Sequence, residues 1–145
     1  KAYFAEISAV GPKNPGEIRR ITRSVVWRLG GLSLAPALVL WLLGPWAFEL
    51  VFGAEWHMAG VFASLLAIYL FFQFLQAPVS KLLFVFEGHR LLLALNVQRL
   101  FLVVGCFGLV HFLQMNAESM VLLYSLMMSA HYLLSIVVTI RAIPR

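Results

Sequence analysis

Aspartate is missing from this 145-residue chain, cysteine occurs once, and only 12% of the residues are charged. Each shortage excludes something. With no Asp, no glycine-rich phosphate loop and no His or Cys pair at metal-ligand spacing, the chain offers no catalytic constellation, and an enzyme is not expected. His57, His89, His111 and His131 are far apart in sequence and fall on different predicted turns and helices, so neither a metal nor another cofactor is implied. The single cysteine, Cys106, rules out an intrachain disulfide and, set among apolar neighbours, reads as a small packing residue. The alternation of a barrel strand is lacking too. No apolar stretch of secretion-signal length precedes the first long apolar run, which begins near Leu29 and far exceeds such a core.

What is present is apolar. A hydrophobic content of 62% and a mean hydropathy of +0.92 exceed what a domain with a water-facing surface carries, and predict a polytopic membrane chain. A helix of about 20 apolar residues crosses a hydrocarbon core of roughly 30 Å, and the chain has material for about four crossings. The expected fold class is all-α: a transmembrane bundle with helices over about 29–51, 56–86, 91–113 and 120–140, preceded by a connecting segment over 1–28. The chain opens at Lys1 in what reads as the tail of an element already under way, so a piece of a longer protein is expected.

Within the connecting segment, Asn14, Pro15 and Glu17 match a helix N-cap, a proline at the first helical position and a capping-box acid. Ile18, Ile21, Val25 and Leu29 then recur on one face, with Arg19, Arg20 and Arg23 on another. Two readings stand: an amphipathic segment lying on an anionic inner leaflet, or a positive flank that sets topology and nothing more. In the first spanning helix the small residues Gly30, Ser33, Ala37 and Gly44 predict a close neighbour, Pro36 predicts a kink, and Trp41 and Trp46 suit an interfacial belt at the far end.

The stretch from Phe52 to Gly60 predicts a turn at the membrane surface. Gly53 ends the first helix in a conformation other residues resist, Glu55 and Trp56 open the second, and Gly60 lets the two approach. Pro78 is expected to bend the second helix, on which Gln73, Gln76 and Ser80 share a face. Asn96 and Arg99 lie a turn apart on the third. Ser125, Ser129, Tyr132, Ser135 and Thr139 make a polar stripe down the fourth, which suits either a cavity lining or hydrogen bonds between helices.

The net charge of +5 does not point to nucleic acid, because the basic residues flank the apolar runs instead of gathering on a polar domain. One set of helix ends holds Lys13, Arg19, Arg20, Arg23, Arg28, Lys81, Arg90, Arg141 and Arg145; the opposite set, residues 52–60 and 114–119, holds none. The positive-inside rule places both termini in the cytoplasm and the stretch from Phe52 to Gly60 outside.

Phe52-Gly53-x-x-Trp56-x-x-Ala59-Gly60, followed by Pro78-x-Ser80 and by Gly88-x-Arg90 leading into Asn96, resembles the C-terminal part of the polysaccharide biosynthesis flippases. These are the O-antigen and exopolysaccharide translocases of the multidrug/oligosaccharidyl-lipid/polysaccharide exporter superfamily. The resemblance covers nearly the whole chain. It implies one third of a twelve-helix or larger transporter of the bacterial inner membrane, with two pseudo-symmetric bundles around a cavity. Its implied cargo is undecaprenyl-pyrophosphate-linked oligosaccharide for lipopolysaccharide, exopolysaccharide or capsule, moved by alternating access. The implied partners are the bilayer, that lipid-linked oligosaccharide and the missing N-terminal helices.

On that reading Arg99 is the candidate substrate-binding residue, because a guanidinium that deep in the membrane needs an anion, and a lipid pyrophosphate would accept bidentate bonds. Snorkelling, or a carboxylate on another helix, satisfies it equally. Lys81 and Asn96 complete the substrate candidates, with snorkelling the stronger reading for Lys81. Glu49 and His131 are candidate coupling-ion residues, against interfacial exposure for Glu49 and an interhelical hydrogen bond for His131. Two other functions compete: a four-helix module that anchors or assembles a glycan synthesis complex without transporting, and a small exporter acting as an oligomer.

Overall fold

The computed structural model describes residues 15–80 and 88–142, and these are helical, with no strand among them. Among the described residues four helices are long and apolar enough to cross a membrane, the make-up of a multi-pass membrane protein: α1 (Pro15–Phe52), α2 (His57–Ser80), α3 (His89–Phe112) and α4 (Ala117–Ala142). A single 3₁₀ turn, Ala54–Trp56, joins α1 to α2. Large apolar side chains are exposed along these helices, Leu32 at 73%, Phe101 at 71% and Phe112 at 83% among them. Such faces suit hydrocarbon or further helices.

The helix begins at Pro15, as the sequence predicts, while the proposed cap Asn14 lies outside the described residues. The connecting segment does not lie apart from the first spanning helix, however. Pro15 to Phe52 is one helix of 38 residues, about 57 Å long at about 1.5 Å per residue, nearly twice what a crossing requires. It runs on through Pro36 and Pro45. The physical reason is that nothing between Arg20 and Leu34 breaks a helix: the stretch has no proline, and the paired Gly30 and Gly31 are tolerated within it.

Gly53 ends α1 with φ 104° and ψ 168°, further extended than the left-handed helical conformation expected but equally confined to glycine. Its amide donates to the Glu49 carbonyl at 2.9 Å, and the Trp56 amide donates to the Gly53 carbonyl at 3.0 Å. Phe48, Phe52 and Trp56 pack one on the next across this turn with their rings tilted by 51° and 42°, at centroid separations of 5.6 and 5.4 Å. The chain then returns along α1. A Cβ built on Gly44 would stand 2.7 Å from the Gly60 carbonyl oxygen, so the two backbones touch where the sequence places its small residues.

The second turn uses different chemistry. Gln114 takes φ 51° without being glycine, the Met115 amide donates to the Val110 carbonyl at 3.1 Å, and the Gln114 amide reaches the His111 carbonyl at 3.4 Å, which together form a Schellman closure. Asn116 then caps α4, its Oδ1 accepting from the Ser119 amide at 2.8 Å.

The packing order is not the chain order. α2 is central and packs extensively on α1 and α4, whereas α3 packs chiefly on α4 and forms one edge. The core accordingly gathers on α2 and α4: Ala67, Leu75 and Val79 are the buried apolar residues of α2, where Leu75 packs toward Gly30 of α1, and Met128, Tyr132 and Ile136 are those of α4. On α3 only Leu95 and Cys106 are buried, Cys106 in the packing role its sequence context suggests.

Candidate functional site

The polar stripe of α4 is turned into the bundle. Ser125, Ser129, Tyr132, Ser135 and Thr139 are all buried, together with His131. Residues seven apart return to nearly the same side of a helix, so Ser125, Tyr132 and Thr139 form a line along the face that α2 covers. Tyr69 of α2 meets that line, stacking on Tyr132 at 6.4 Å and packing edge-on against Tyr124 at 5.7 Å. Two of the hydroxyls bond within their own helix: Ser129 Oγ donates to the Ser125 carbonyl at 2.7 Å, and Ser135 Oγ lies 3.5 Å from His131 Nε2. Among the described residues, Ser125 Oγ, Thr139 Oγ1 and His131 Nδ1 have no hydrogen-bond partner.

His131 is 5% exposed and packs edge-on against Tyr132 at 5.4 Å. Arg99 belongs to α3, the helix that packs beside α4. Arg99 lies four residues after buried Leu95 and seven before buried Cys106, which puts its Cα on the side of α3 that faces α4. Arg99 stands eleven residues beyond Gly88 and His131 eleven before Ala142, so each is about 16 Å along its helix from the same end of the bundle. That is mid-depth for a bilayer.

Arg99 is exposed, and among the described residues no carboxylate lies within ion-pair distance of it. Asn96 is also exposed, but its amide donates to the Leu92 carbonyl of its own helix at 2.9 Å. Lys81 and the end of the second predicted helix, 81–86, lie outside the described residues.

The other coupling candidate sits elsewhere. Glu49 is exposed at the Gly53 turn, with its Oε1 2.7 Å from His57 Nδ1, and its side chain therefore ties α1 to the start of α2. Glu55 and Trp56 are exposed at the same turn. Pro78 lies inside α2, and Ser80 Oγ donates to the Ala77 carbonyl at 2.9 Å. Two apolar grooves of about 300 and 250 Å³ flank the contact of Ala37 with Ala67, and neither is lined by a charged residue.

That α3 packs beside α4, and so brings the helices of Arg99 and His131 together at similar depth, was not visible in the sequence, where the two were separate candidates. Equal distance from the same end of the bundle is the signal that would have placed them at one depth. No family model, curated protein or solved structure matches the chain.

Proposed function

We propose that this chain is the C-terminal four-helix part of a bacterial inner-membrane flippase that exports lipid-linked oligosaccharide by alternating access, with Arg99 holding the lipid pyrophosphate. The observation that carries the reading is an exposed guanidinium at mid-depth on a spanning helix, with no carboxylate beside it among the described residues. A charge there costs from about 3 kcal/mol to several times that unless an anion or water meets it. A pyrophosphate supplies paired acceptor oxygens that match the guanidinium fork. The turn motif from Phe52 to Gly60 and the Pro78-x-Ser80 and Gly88-x-Arg90 elements add the family resemblance.

The test is made in the full-length protein. Arg99→Ala is expected to lower surface polysaccharide by at least about tenfold at unchanged membrane abundance, the loss of one charge-assisted bidentate contact, while Arg99→Lys restores only part of it. Unchanged export in Arg99→Ala would overturn the assignment of the anion site.

A further inference from the structure

The N-terminal third of α1 extends beyond the length that a crossing of the bilayer requires. Two tryptophans on this helix, Trp27 at 72% exposure and Trp46 at 59%, are nineteen residues apart, a separation of about 28 Å at about 1.5 Å per residue. That is close to the thickness of a hydrocarbon core, and indole rings prefer its two boundaries. Trp46 then marks one interface and Trp27 the other. Arg23 and Arg20 follow about 6 and 10 Å beyond Trp27, at and just past the depth of lipid phosphates.

Helix geometry sets the side of α1 from which these residues project. Ile18 and Thr22 are 0% and 1% exposed, so this part of α1 has a covered face despite lying beyond the spanning segment. At about 100° per residue, Arg20, Arg23 and Trp27 fall within about 60° of one another on the side opposite Ile18 and Thr22. They line one open concavity with Ser24 and Gly16. Arg20 also stands 3.7 Å from Glu17, in an exposed pair too weakly coupled to cancel the positive face.

We infer that Arg20, Arg23 and Trp27 form a binding face for the headgroup of an anionic phospholipid in the adjoining leaflet, with the arginines on the phosphate and the indole at the glycerol level. The helix stands upright through the leaflet, so the face takes lipids from the side, and the segment is not laid flat on the surface. The inference is independent of any role for Arg99.

The intact protein, reconstituted in nanodiscs, tests it. Phosphatidylglycerol retained on the protein is measured by native mass spectrometry after growth of the discs from phosphatidylcholine with or without phosphatidylglycerol. The wild type is expected to retain phosphatidylglycerol in preference to phosphatidylcholine, and Arg20→Gln with Arg23→Gln to reduce that retention by at least about tenfold. Trp27→Leu is expected to weaken it less. Arg90→Gln with Arg141→Gln removes the same charge from the same end of the bundle and should leave retention unchanged. Equal retention of the two lipids by the wild type, an equal loss in the Arg90 and Arg141 control, or displacement of the lipid by millimolar inorganic phosphate would each overturn the inference.

Discussion

A Cβ added at Gly60 would lie 2.5 Å from Pro45 Cα and 2.6 Å from the Gly44 carbonyl oxygen, both backbone atoms that cannot rotate away. Gly105 and Gly108 of α3 have nothing within 4 Å of the same position. Gly60→Ala is therefore expected to destabilise the α1–α2 pair by about 1–3 kcal/mol, as overpacking does, whereas Gly105→Ala should be neutral or stabilise by up to about 1 kcal/mol through helix propensity. Reversible unfolding in mixed micelles measures both, and an equal response at the two sites would show that the close contact is not maintained. The role of Gly60 was legible in the sequence because Ala-Gly just after a turn leaves room for nothing but backbone. Gln114 was not, since a non-glycine residue at a positive φ leaves no compositional mark and is held there by the closure around it.

Among the elements, α4 is the one whose sequence pattern and surroundings agree most closely. Its hydroxyl stripe repeats at helical spacing, and the structure buries all five of its members. Burial without a partner is costly for a hydroxyl, yet Ser125 Oγ and Thr139 Oγ1 have none among the described residues. Ser125→Ala and Thr139→Val should accordingly be neutral or stabilising in the same unfolding assay, because removing an unpaired buried hydroxyl also removes its desolvation cost. A loss above about 1 kcal/mol would mean that the two hydroxyls are hydrogen-bonded in the membrane and that the stripe continues into further contacts. For α1 the outcome differs from the sequence expectation: a composition shift near residue 28, from basic to apolar, reads as a boundary, but helix propensity is indifferent to that shift and the backbone passes through it unbroken.

For the whole molecule, the two connecting turns at Gly53 and Gln114 lie at one end of the bundle, and Gly88, Arg90 and Arg141 at the other. The absence of Lys and Arg from the first end predicts that it faces outward. In the protein carrying Cys106→Ala, single cysteines placed at Ala54 and Ala117 are expected to react with an impermeant maleimide in intact cells, and one placed at Arg90 only after permeabilisation. Reaction in the opposite sense would invert the orientation and put the Arg20, Arg23 and Trp27 face in the outer leaflet. Of the candidate site, Arg99 and Asn96 were legible as polar breaks in an apolar run, and the depth of each followed from counting residues. Their surroundings were not, because α3 packs on α4 at the edge of the bundle and leaves α2 in the centre.

By itself the sequence determined that the chain makes long apolar helices, where Gly53 would end one of them, and which face of α4 would be polar, since each of these depends on residues within a few turns of one another. Only the tertiary structure decided that α1 is a single helix from Pro15, that the helices pack in the order α1, α2, α4, α3, and that the helices bearing Arg99 and His131 are neighbours. Arg99 and His131 are thirty-two residues apart, and the adjacency of their helices rests on which helix faces come together, a choice that apolar helices of similar composition leave open until they pack.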